Sequence, residues 1–207
     1  FFFDKKTAYY SSSGLVGSEM CRRASSMAIG ASYGGHVAVT GSSGPGISLK
    51  TEAIGWAVMA EIPLVVIDVQ RGGPSTGLPT DVEQSDLNIA LYGGHGDSPR
   101  VVLAASDVED CFYTAIEAVN IARKYSVPVF VLSDQAIATR IEAFNEPDLK
   151  TICKNIELDL SPVPSHKPYD LSSGDEPSQH RFPGTRIEDG RYPVVTGLEH
   201  DELGHPS

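Results

Sequence analysis

HVAVTGSSGPGISLKTEAIGWAVMAEIPLVVIDVQRGGPSTGLPT, residues 36–80, decides the fold, because it holds two strand-like runs that each empty into a glycine-rich loop. His36–Thr40 is a short β-branched run, and GSSGPG follows it at residues 41–46. From Ser48 to Ala60, Ile54, Ala57 and Val58 fall at helical spacing. Pro63 then opens LVVIDV, an unbroken apolar run suited to a strand covered on both faces, and RGGPSTGLP follows it. In an open parallel sheet, successive strands joined by a crossover present such loops at one edge, where ligands bind. The two loops are therefore expected to face one ligand.

The flanks extend the same rhythm. From Arg22 to Tyr33, Ala24, Met27, Ala28 and Ala31 keep helical spacing, with Gly34 and Gly35 as the stop. Residues 1–18 show no clear period. Downstream, Asp81–Leu91 reads as a helical stretch ended by YGGHGDSP, and VVLAA at 101–105 as a strand. Ser106 with Glu109 forms a capping-box pattern ahead of an apolar stripe through Val108, Cys111, Phe112, Ala115, Ile116, Val119 and Ala122. Lys124 in the last turn complements the helix dipole. VPVFVLSD, 127–134, is a further buried strand, and Asp134 at its end is either a helix cap or a loop carboxylate. The expectation is an α/β domain over residues 1–145, with a doubly wound, mostly parallel sheet, the place of residues 1–23 within it being left open. Eight of the 14 prolines lie from Pro147 onward, so residues 146–207 are expected to be an irregular extension or interdomain linker.

Composition excludes several function classes. At 41% hydrophobic residues the chain has the balance of a soluble globular protein, and no apolar run approaches the roughly 20 residues of a membrane span. FFFDKK lacks the order of a secretory signal, and Cys21, Cys111 and Cys153 form no CxxC pair, which fits a reducing cytoplasm. Those three thiols give neither a zinc set nor the four ligands of an iron–sulfur cluster, so no metal site is expected in this chain. A net charge of −11 argues against nucleic acid. Residues 140–207 hold 13 acidic and 7 basic side chains, making the extension an acidic one.

The loops themselves suggest chemistry. In GSSGPG, Ser42, Ser43, Gly44 and Gly46 offer hydroxyls, backbone NH groups and close approach, although a tight turn alone also accounts for them. The loop lacks the lysine of a Walker motif, since Ile47 stands there, and it is not a GxGxxG fingerprint. Arg71, directly after a strand, is placed to grip a carboxylate or phosphate, or alternatively to pair with Asp68 or Asp81. Ser75 and Thr76 add donors or simply shape the turn, and His95 in GGHGD is either a polar loop residue or a proton-handling group at the rim. Trp56 is expected to pack rather than stack on a ligand, and His200, His205 and Glu199 to lie on the surface.

MAIGASYGG, TGSSGPGISLKTEAIG, MAEIPLVVIDVQRGGPSTGLPT, EQSDL, ALYGGHGDSPR and LSDQA occur in the order found in the alpha subunit of 2-oxoacid:ferredoxin oxidoreductases. The chain resembles the 2-oxoglutarate branch most, from Met27 to Asp134 and again in GLEHDELGHPS. That resemblance implies a thiamin diphosphate fold of the pyrimidine-binding type. It implies a partner beta subunit that holds the diphosphate through magnesium and carries a [4Fe–4S] cluster. The implied reaction is oxidative decarboxylation of a 2-oxo acid with coenzyme A, giving acyl-CoA, CO2 and reduced ferredoxin. Arg71 matches the family's arginine in RGGPST and is the expected partner of the substrate carboxylate, with Ser75, Thr76 and His95 as further substrate contacts. Ser42, Ser43, Gly44 and Gly46 are the expected cofactor contacts.

Thiamin chemistry needs a carboxyl group beside the aminopyrimidine ring, and here the chain departs from its family. The family's glutamate falls at Cys21, so Glu19, two residues earlier, becomes the catalytic candidate. A YPITPS-type loop and the later domain of the alpha subunit are also missing, which makes a partial chain the expectation. A noncatalytic interaction or scaffold subunit, retaining the fold without the activating glutamate, is the alternative.

Overall fold

The computed structural model describes residues 15–152, 167, 169, 182–188, 190, 192 and 194–206. Helix α1, Leu15–Tyr33, leads into strand β1, Val39–Ser42. Two short helices follow, α2 at Gly44–Ser48 and α3 at Thr51–Met59, and then β2 at Leu64–Gln70. Next come α4, Leu87–Tyr92; β3, Val101–Ala104; α5, Val108–Tyr125; and β4, Pro128–Asp134. Short helices α6, Gln135–Thr139, and α7, Leu149–Ile152, complete the described elements.

All four strands run parallel in the order β1-β2-β4-β3. The continuous apolar runs of β2 and β4 follow from their central position: β2 pairs with β4 along its whole length, from Leu64 opposite Pro128 to Gln70 opposite Asp134. Alternation along β2 divides its side chains between two cores. Leu64 and Val66 join Phe130, Leu132, Ile29, Ile47, Ile54, Ala57 and Ala90 on one face. Val65 joins Val129, Val131, Ala118 and Ala122 on the other. Helices thus cover both faces, as a doubly wound sheet requires.

Several boundaries differ from the sequence reading. Helix α1 begins at Leu15 rather than near Arg22, because LVGSEMC interrupts its apolar pair with Gly17 and Ser18 and hides the helical period. The strand expected from His36 starts at Val39, since Gly35 and His36 still donate to Ser32 and Ala31 carbonyls in the helix-ending turn. The helix expected over 48–60 is Thr51–Met59, and the end of the GSSGPG loop is itself helical in α2, with Pro45 in its first turn. Residues 81–86 are not helical, because Glu83, Gln84 and Asp86 are tied by hydrogen bonds to the ends of the strands. The cap of α5 is Asp107, whose carboxylate accepts from Asp110 N at 2.8 Å, rather than Ser106 with Glu109. Its buried residues are the small Thr114, Ala118 and Ala122; the two alanines, with Val119 of the expected stripe beside them, pack against β2 and β4, while Tyr113 lies outside in an edge contact with Phe112. Small side chains there let the helix approach β2 and β4 closely. Asp134 takes the first of its two expected roles, capping α6 by accepting from Ile137 N at 2.9 Å.

Beyond α7, the described residues return to the domain. Val195 packs against the core containing Ile54, and Gly197 lies so near Trp56 that an added Cβ would sit 2.1 Å from its ring. Trp56 itself stays 41% exposed and meets Gly197 with one side of its ring. Tyr169 packs on His200, with ring centroids 3.8 Å apart, and accepts from Thr196 N. Among the described residues no helix is long and apolar enough to cross a membrane.

Candidate active site

The carboxyl ends of β1 and β2 lie side by side because the strands are parallel and paired, Ser42 opposite Asp68. Their following loops consequently meet in one cleft of about 1040 Å³. Residues 42–46 form one wall and residues 71–76 another; Glu83, Ser85, Asp86 and Ile89 form a third. Ser42, Ser43, Gly44, Gly46, Arg71, Ser75 and Thr76 are thereby brought together. His95 is not in this lining: its exposed ring stands 3.7 Å from Glu52 Oε2. Glu19 and Cys21 both fall within α1, and their side chains lie outside the described residues.

Arg71 emerges at the end of β2 with its Nε buried and without a hydrogen-bond partner. Neither alternative partner holds it there: both Asp68 oxygens are likewise without one, and Asp81 engages Gly72 through its backbone carbonyl. The loop after Arg71 is closed on itself, with Leu78 N donating to Gly72 O at 2.9 Å and Gly77 N to Pro74 O at 3.1 Å. Gly77 is required at this turn. Its φ is +54°, and a Cβ would sit 1.6 Å from Gly72 O.

The segment Glu83–Asp86 joins three strand ends. Glu83 Oε2 accepts from Gly73 N at 2.9 Å, and Gln84 Nε2 donates to Asp134 Oδ2 at 2.7 Å. Asp86 Oδ2 accepts from Gly44 N, and its own N donates to Gln70 Oε1, both at 3.0 Å. At the base of the β1 loop, fully buried Lys50 donates to Thr40 Oγ1 at 3.2 Å and Gly41 O at 3.4 Å. The sequence reading missed this network. Its available signal was a charged residue inside the apolar run LVVIDVQ and a lysine following the apolar Ile47 and Leu49, since buried charges persist only in company.

Electrostatics follow from that company. Burial, reinforced by the negative Asp86 and opposed by Lys50, pushes the Asp68 carboxyl up to about 7. Burial also raises Asp86, against the opposing Gly44 NH and with help from Glu83, while Arg71 pulls it back. Asp134 is held low, first by the Gln84 amide and then by Ile137 N. The cleft thus combines a cationic donor, several acceptors and apolar surface at one sheet edge, an arrangement able to bind an organic anion.

A family model described as pyruvate flavodoxin/ferredoxin oxidoreductase, thiamine diphosphate-binding, matches residues 16–207. The chain belongs to this family. Within the pyruvate flavodoxin/ferredoxin oxidoreductase family, it is 50% identical over 173 residues to 2-oxoglutarate oxidoreductase subunit KorA of Mycobacterium tuberculosis, covering 84% of this chain and 25% of that protein. It is 48% identical over 182 residues to 2-oxoglutarate synthase subunit KorA of Archaeoglobus fulgidus, covering 88% and 45%. A structure of 2-oxoglutarate:ferredoxin oxidoreductase from Magnetococcus marinus, with 2-oxoglutarate, coenzyme A and succinyl-CoA bound, superposes with a TM-score of 0.77 at 41% identity. That match covers 88% of this chain and 31% of the other. The chain therefore spans from a quarter to under half of these relatives.

Proposed function

We propose that this chain forms the pyrimidine-binding part of an alpha subunit of a 2-oxoacid:ferredoxin oxidoreductase, acting in the cytoplasm on a 2-oxo acid of the 2-oxoglutarate type. Coenzyme A and ferredoxin are the proposed co-substrates. The proposed beta subunit carries the magnesium-held diphosphate and the [4Fe–4S] cluster. When bound, thiamin diphosphate supplies the electron sink for loss of CO2. Pro45, Leu49 and Ile89 offer it an apolar wall, and residues 42–46 bring hydroxyls and backbone close to the ring. These residues fit a flat heteroaromatic group.

The observation that carries the reading is the unpartnered, buried Nε of Arg71 at the meeting of the two loops. The Arg71 guanidinium lines the cleft with hydrogen-bonding capacity unused, and a 2-oxo carboxylate matches it in charge and planar geometry. Arg71 in this role fixes the oxo acid, while Ser75 and Thr76 contribute polar contacts at the open side. Truncating Arg71 to Ala in the full-length subunit, assembled with its beta subunit, should lower kcat/KM for 2-oxoglutarate by about 100-fold or more. Thiamin diphosphate affinity should stay within a few-fold. Unchanged turnover would remove Arg71 from the substrate site.

One observation favours a second reading: cysteine at position 21, where the resemblance places the activating glutamate. A scaffold subunit would assemble with the beta subunit yet show neither thiamin diphosphate binding nor turnover. Glu19 acting in place of the missing group would instead leave turnover that Glu19→Gln abolishes.

A further inference from the structure

We propose that Asp86 is a positioning residue that holds the Ser42–Gly46 loop and the Arg71 loop in one fixed geometry, so that cofactor and oxo acid meet at a set separation. The names of those two ligands rest on the proposed function above; the geometric role does not. Asp86 occupies the N-cap of α4, where an aspartate ordinarily turns its carboxylate onto its own helix, but it makes no such cap bond. Its carboxylate instead reaches Gly44, 42 residues earlier, at 3.0 Å. Its backbone N–H meanwhile reaches Gln70 Oε1, on the residue immediately before Arg71. The carboxylate thereby holds the Ser42–Gly46 loop while the backbone of the same residue is anchored to the end of β2, next to Arg71.

The fit with Gly44 is tight. A Cβ there would lie 2.4 Å from Asp86 Oδ1, so glycine is needed to bring this backbone onto the carboxylate. Arg71 supplies positive charge to the same carboxylate, and Glu83 braces the neighbouring Gly73 N–H from three residues upstream.

The test uses the full-length subunit assembled with its beta subunit, comparing Asp86→Ala and Asp86→Asn with wild type. Amide exchange is measured first, without cofactor. Loss of a charge-assisted hydrogen bond should raise exchange at residues 42–46 by about tenfold in Asp86→Ala, with β2 and β4 unchanged. Asparagine keeps an acceptor for Gly44 N–H, so Asp86→Asn should restore most of that protection. Thiamin diphosphate Kd and 2-oxoglutarate KM should rise together in Asp86→Ala, and both should recover in Asp86→Asn. Wild-type exchange in Asp86→Ala would overturn the proposal, as would raised exchange with Kd and KM both unmoved. Should Asp86→Ala fail to fold, Gly44→Ala pushes the carboxylate away from the other side and must reproduce the raised exchange, or the proposal fails. A wild-type complex that neither binds thiamin diphosphate nor turns over oxo acid would sink the functional reading, and the exchange data would still decide the role of Asp86.

Discussion

Replacing Asp68 with Asn should remove a large part of this chain's pH-dependent instability above neutrality. The Asp68 carboxyl is fully buried, has no hydrogen-bond partner on either oxygen, and ionises near 7 rather than at 3.8. Between those values the folded state retains a proton that the unfolded chain releases, so stability falls as pH rises through the window. The full penalty is reached above about pH 7 and amounts to about 4 kcal/mol for this one group. Burial is the main cause, Asp86 adds to it, and Lys50 offsets part of it. Asp110, Asp134 and Asp201 are held low and act in the opposite direction, which is why the comparison must be with Asp68→Asn at each pH. Urea unfolding can be followed through Trp56, the single tryptophan. The wild-type minus Asp68→Asn stability should fall by about 4 kcal/mol between pH 4 and pH 8. A difference that is flat, or that rises with pH, would refute the assignment of a protonated buried acid.

Phe130 is fully buried at the centre of the core shared by β2 and β4, so Phe130→Ala should cost about 3–5 kcal/mol in the same unfolding assay. Gly77→Ala places a Cβ against Gly72 O and should open the Arg71 loop; 2-oxoglutarate KM should rise while the thermal midpoint moves little. Equal loss in both would show that the loop is part of the cooperative core. Cys21→Glu should raise turnover in the assembled complex if the missing glutamate limits catalysis, and steady-state kinetics without any gain would direct attention to Glu19.

The central strands were legible because LVVIDVQ and VPVFVLSD are continuous apolar runs, and burial on two faces leaves no other use for them. The convergence of the two glycine loops was legible for the same reason, since parallel pairing fixes where both strands end. Less legible were residues 81–86, whose polar composition suits a helix start as well as it suits the tethering performed through Glu83, Gln84 and Asp86. Those contacts join residues up to 50 positions apart, and local spacing carries no trace of them. Helix α5 shows a related limit: its sequence offers a broad apolar stripe, and only the sheet selects Thr114, Ala118 and Ala122 as the face that fits. His95 was drawn toward the site by its neighbours in sequence, whereas its contact in space is with Glu52.

The most direct measurement is a crystal structure of the assembled alpha and beta subunits with thiamin diphosphate and 2-oxoglutarate bound. The oxo-acid carboxylate should lie within hydrogen-bonding distance of the Arg71 guanidinium, and the aminopyrimidine ring against residues 42–46. A ring and a carboxylate both seated elsewhere, with the two loops empty of ligand, would contradict the account.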